Sequence, residues 1–154
     1  MLKASDIMQK APMTINPEVT VEEIGRIFIE KNISGLPVVD ASGTLVGVVT
    51  ENDLISRNKQ IHIPTLLRLF DAFIPLEGFK AFETEIKRIS AKIAGDICTK
   101  ETVTVTPETE LDEIATIMTD KKIHHLPVME GGKLVDIINQ HDVLKGISLE
   151  GTGQ

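Results

Sequence analysis

The sequence predicts an α/β (α+β) protein: two β-α-β-β-α repeats packed sheet to sheet, with a helical insert between them. Three observations carry that expectation. The chain aligns with itself at a shift of 90 residues, the same order of strand-like and helical periodicities recurs in each copy, and a block from about Arg57 to Ile93 has no counterpart. A unit of roughly 50 residues with one apolar sheet face buries too little surface to stand alone, so the two copies are expected to pack together. The boundaries read as residues 2–57 for the first repeat, 58–91 for the insert and 92–147 for the second repeat.

At that shift, Ala4-Ser5-Asp6-Ile7-Met8 faces Ala94-Gly95-Asp96-Ile97-Cys98, and Thr14, Pro17 and Glu18 face Thr104, Pro107 and Glu108. Thr14 to Pro17 reads as a short extended segment closed by proline. Thr20 opens a helix, with Glu23 three residues on as the partner of a capping box. Val21, Ile24, Ile27 and Phe28 make one apolar stripe at helical spacing. Leu36 to Val39 and Leu45 to Val49 are strand-like runs around Asp40-Ala41-Ser42-Gly43, which reads as a hairpin turn. One residue is lost there in the second copy, whose Leu134-Val135 and Asp142 match Leu45-Val46 and Asp53 at a shift of 89. A second helix is expected from about Glu51.

The insert has its own pattern. Pro64 suits the first turn of a helix carrying Leu67, Phe70, Phe73 and Ile74, and Pro75 with Gly78 ends it. Phe79, Phe82, Ile86, Ile89 and Ile93 then follow at heptad-like intervals. Two readings stay open: a helical hairpin packed on the repeats, or a subunit interface or lid over a cleft.

Composition narrows the partners. With 16 basic and 23 acidic side chains, net charge −7, the chain lacks the cationic surface that nucleic acid or an anionic membrane demands. The single cysteine, Cys98, allows neither an internal disulfide nor a cysteine zinc site, and its alignment with Met8 assigns it to packing. No apolar run is long enough for a signal peptide or a spanning helix, so a cytoplasmic location is expected.

The most informative motif occurs twice: Val48-Val49-Thr50-Glu51-Asn52-Asp53-Leu54, and Ile137-Ile138-Asn139-Gln140-His141-Asp142-Val143. A threonine at a strand end with an acid three positions later is a sound helix cap. The same carboxylate can accept two hydrogen bonds from a cis-diol, so capping and ligand contact are compatible. Duplicated β-α-β-β-α units bearing Ile33-Ser34-Gly35-Leu36-Pro37-Val38-Val39 and then this motif resemble the cystathionine-β-synthase (CBS) domain, two of which in tandem form a Bateman module. The resemblance covers most of the chain outside the insert and implies a stand-alone CBS pair.

That family binds adenosine-containing ligands (AMP, ADP, ATP or S-adenosylmethionine) in clefts between the repeats. The resemblance implies a preferred cleft formed by Thr50 and Asp53 of the first repeat with Thr104, Ile123, His124 and His125 of the second. It implies a weaker cleft formed by Thr14, Ile33, Ser34 and Gly35 with Asn139 and Asp142. The inequality follows from two departures. Asn139 lacks the hydroxyl of Thr50, and Asp136 stands where the first repeat has Gly47, there expected to admit a ligand to the backbone. Asp136 would oppose a phosphate.

His124 and His125 stand where relatives place cationic contacts to phosphate; the plainer reading is a pair of partly exposed histidines at a strand start. As imidazolium donors they would strengthen binding as pH falls. No metal site is expected, since adjacent strand residues point to opposite faces. The expected function is therefore a non-enzymatic regulatory sensor of adenine nucleotide or S-adenosylmethionine, requiring no cofactor and homodimeric by resemblance. The alternative is an interaction or regulatory subunit with empty clefts, whose Phe-rich insert docks a partner protein.

Overall fold

The computed structural model describes residues 1–8, 12–58 and 91–152. In chain order the elements are α1 (Ala4–Ile7), α2 (Val21–Lys31), β1 (Gly35–Val39), β2 (Leu45–Thr50) and α3 (Glu51–Arg57) in the first half. The second half holds α4 (Ala94–Ile97), α5 (Leu111–Lys121), β3 (His125–Glu130), β4 (Lys133–Asn139) and α6 (Gln140–Thr152). The insert helices expected from Pro64 to Ile89 lie outside the described residues.

Each half contains an antiparallel pair, β1 with β2 and β3 with β4. Each pair is extended by one parallel bridge from the Thr-x-x-Pro segment, Ile15 to Val38 and Val105 to Val128. The predicted hairpin forms as read. Asp40 Oδ1 accepts from the amides of Ser42 and Thr44 at 2.9 and 3.0 Å, while Gly43 takes φ +82°, a conformation that favours glycine. The second copy turns in one residue fewer, through Gly131 and Gly132, both at positive φ. Both ladders carry an irregularity at the same repeat position, between Val38 and Val39 and between Val128 and Met129.

The helices follow their sequence stripes. Thr20 Oγ1 accepts from the Glu23 amide at 3.2 Å and caps α2, whose Val21, Ile24 and Phe28 are buried. Helix α5 buries Leu111, Ile114 and Met118 at the matching positions. Both helices end on a left-handed residue, Asn32 and Lys122.

The two cores are cross-completed. Ala94, Ile97 and Cys98 of the second half are buried in the core of the first, beside Ile24, Leu36, Val38 and Val49. Reciprocally, Ala4 joins Leu111, Ile114, Leu126 and Ile138, with Leu2, Ile7 and Met8 packed against them. Backbone pairing fixes the exchange: Lys3 bridges Glu110, Thr20 bridges Ile93, and Val48 bridges Thr99. Ile93, read above as the end of the insert stripe, belongs to one of these bridges. Cys98 is buried, which raises its thiol pKa and suits the packing role.

Gly47 has a different task from the one anticipated. A Cβ there would lie 2.4 Å from the Thr99 carbonyl oxygen, so its bareness admits a neighbouring backbone and not a ligand.

Candidate functional site

A cavity of about 670 Å³ opens between the two halves. From the first half its wall takes Ser34, Val48, Thr50, Glu51, Asn52, Asp53 and Ile55; from the second come residues 99, 101–103 and 122–125. It exists because β2 runs directly into α3 at Thr50, while the Thr99 segment is bridged to Val48 and the turn after α5 brings up the Ile123 segment.

At the strand-helix junction the capping box forms in full. The Thr50 amide donates to Asp53 Oδ2 at 2.9 Å, and the Asp53 amide donates to Thr50 Oγ1 at 3.4 Å. Asp53 is only half-buried and lines the cavity. The cap thereby holds a carboxylate at the rim, in one orientation.

Across the cavity, His125 crosses the line that relates the repeats. Its Nε2 lies 2.9 Å from Ser34 Oγ, and its ring fills the space a Cβ on Gly35 would need, 2.6 Å from the nearest ring atom. Gly35 and His125 are equivalent repeat positions. The large ring on one side requires the missing side chain on the other.

His125 is about nine-tenths buried, and its Nδ1 has no hydrogen-bond partner. Burial, aided by the neighbouring His124, lowers its pKa to about 4. This corrects the expectation that both histidines act as imidazolium donors: His125 is neutral at physiological pH. His124 is exposed and lines the cavity.

Of the residues expected in the preferred cleft, Thr50, Asp53, Ile123, His124 and His125 line one cavity. Thr104 does not join them. The segment lines the cavity through Thr102 and Val103, and Thr104 is exposed just before Val105 enters the core. Sequence reasoning also missed Thr99 and Glu101. Thr99 had no local signal, since its pairing to Val48 is a contact between distant segments.

The residues of the weaker cleft fare differently. Ser34 lines the first cavity, Gly35 lies under His125, Ile33 packs on the first core and Thr14 is exposed. Asn139 and Asp142 reproduce the cap, with amide-to-side-chain bonds of 3.0 and 2.9 Å, yet Asp142 is only 3% exposed. Asp136 is buried as well. Among the described residues no group of three or more His, Cys, Asp or Glu could hold a metal ion, and no helix is long and apolar enough to cross a membrane.

Comparison with known proteins agrees with this architecture. A family model described as the CBS domain matches residues 4–59 and 94–149. The chloroplastic CBS domain-containing protein CBSX2 of Arabidopsis thaliana is 29% identical over 140 residues, covering 85% of this chain and 56% of that protein. The inosine-5'-monophosphate dehydrogenase of Methanocaldococcus jannaschii is 28% identical over 144 residues, 93% of this chain but 23% of the enzyme. The chain thus spans little more than half of the first relative and about a quarter of the second. Among solved structures, CBSX2 in complex with AMP matches with a TM-score of 0.81 at 25% identity, over 96% of this chain and 97% of that one.

Proposed function

The chain belongs to the CBS-domain family, and from that premise we propose that it is a regulatory module holding an adenosine-containing ligand in the cavity between its repeats. The observation that carries this reading is the cavity itself, walled by Thr50 and Asp53 from one repeat and by Ile123, His124 and His125 from the other. The likeness to CBSX2, a protein crystallised with AMP, supports it.

In this reading the capped Asp53 carboxylate accepts from the ribose hydroxyls. Ile123 and Val103 offer apolar surface to the base, and neutral His125 with Ser34 offers hydrogen bonds. A ligand touching both repeats couples them. It shifts an equilibrium only by its differential affinity for two states, typically about 1–3 kcal/mol.

A catalytic reading is not favoured. Ser34 and His125 have the outward form of nucleophile and base, but a base with a pKa of about 4 is poorly matched to deprotonating a hydroxyl at neutral pH. The Nδ1 that an orienting acid would engage has no partner.

Thermal unfolding with AMP, ADP, ATP or S-adenosylmethionine tests the proposal. A ligand at 100 times its dissociation constant should stabilise the fold by about 2.7 kcal/mol. A second reading, an interaction subunit with an empty cavity, draws on Ile29, Ile55, Leu144 and Ile147, exposed by between 51 and 82%. No shift with any of the four compounds would favour it. Homodimerisation through α6, which carries Leu144 and Ile147, is proposed with either reading and is checked by light scattering.

A further inference from the structure

Resting on the adenosyl reading above, we propose that the cavity selects adenosyl compounds with a neutral or cationic 5′ substituent, a thioether or a sulfonium, over nucleoside polyphosphates. The discrimination is one of charge at the cavity lining. Among the described residues, Glu51, Asp53 and Glu101 line the cavity, with Lys122 the only Lys or Arg beside them. His125 stays neutral at physiological pH.

Not every backbone donor on this cavity is available. The Thr50 amide, which a phosphate oxygen could otherwise use, already donates to Asp53. Nor do the carboxylates gather into a cation site that would bring in a divalent ion with the phosphates: no such group occurs among the described residues. The buried polar side chain lining the same cavity is His125, nine-tenths buried with Nδ1 unpartnered. A neutral imidazole suits a base edge or a ribose hydroxyl; a polyphosphate needs cations or several N–H donors. Glu51 and Glu101 are exposed, so solvent screens them, yet one like-charge contact at about 4 Å in water still weakens binding roughly fivefold.

The test is calorimetric titration of the whole protein with 5′-methylthioadenosine, S-adenosylmethionine, AMP and ATP, each with and without Mg²⁺, at low and high salt. At low salt the thioether and sulfonium compounds are expected to bind at least about fivefold more tightly than ATP, with the gap narrowing at high salt. The double variant Glu51→Gln, Glu101→Gln should move the affinity ratio toward ATP. ATP binding as tightly as the thioether in either metal condition, or a ratio unmoved in the variant, overturns the charge selection while leaving the adenosyl reading intact. Failure of all four compounds to bind overturns that reading itself, and the selection with it.

Discussion

Thr50 and Asp53 stand at the rim of a cavity of about 670 Å³, whereas Asn139 and Asp142 repeat the same capping geometry with the carboxylate only 3% exposed. The frameworks around them correspond element by element: matched helices with left-handed ends, matched hairpins with a bulge at the same place, matched buried stripes. The difference teaches that the threonine-x-x-aspartate element is first a helix cap. It becomes a binding element only where the surrounding chain leaves the carboxylate accessible. At the sequence-equivalent positions 35 and 125 the repeats diverge in size, glycine against histidine, and the His125 ring occupies the space a side chain at position 35 would need.

The largest expected effect tests whether the halves are independent at all. A fragment ending at residue 58 lacks Ala91, Ala94, Ile97 and Cys98, all buried in its core. It should show no cooperative unfolding by circular dichroism, and a folded, cooperative fragment would break the cross-completed picture. Next comes Gly47→Ala, which sets a methyl group 2.4 Å from the Thr99 carbonyl and forces backbone to move. Urea denaturation should show a loss of about 1–3 kcal/mol. Because Val48 and Thr99 both line the cavity, ligand affinity should fall as well.

The third effect concerns His125 and is a dependence on pH. Its folded pKa, about 4, lies below the unfolded value of 6.5, so between those values the unfolded chain takes up a proton that the native state refuses. The neutral ring is tolerated fully above pH 6.5, and stability falls as pH drops through the window. Between pH 7 and pH 5 the loss attributable to this group is about 2 kcal/mol. His125→Gln should flatten that part of the profile relative to the parent protein, and an identical slope in both would remove burial of His125 as the cause.

Much of this was legible in the sequence because it is local or repeated. The register shift at 90 exposed the duplication, Asp40 to Gly43 announced a turn, and Thr50 with Asp53 announced a cap. The resemblance then grouped Asp53 with Ile123, His124 and His125, and those residues line one cavity. What could not be read depends on contacts between distant backbones. The exchange of Ala4 and Ala94 between cores rests on the bridges from Lys3 to Glu110 and from Thr20 to Ile93. Gly47 serves Thr99, a partner 52 positions away with no side-chain signature of the contact. Thr104 was misplaced by the phase of an extended segment: two residues earlier the chain faces the cavity, and one residue later it enters the core. The charge of His125 was misjudged for a related reason, since its burial depends on the bareness of Gly35 in the other repeat.

The central claim is that an adenosyl ligand is held between the repeats by the Asp53 side. It is tested most directly by calorimetric titration of the parent protein, Asp53→Asn and Asp142→Asn with whichever of AMP, 5′-methylthioadenosine and S-adenosylmethionine binds most tightly. Loss of a charge-assisted pair of hydrogen bonds should weaken binding at least about tenfold in Asp53→Asn. Asp142→Asn should change affinity far less. Equal affinity in Asp53→Asn and the parent, or a loss confined to Asp142→Asn, would contradict the account.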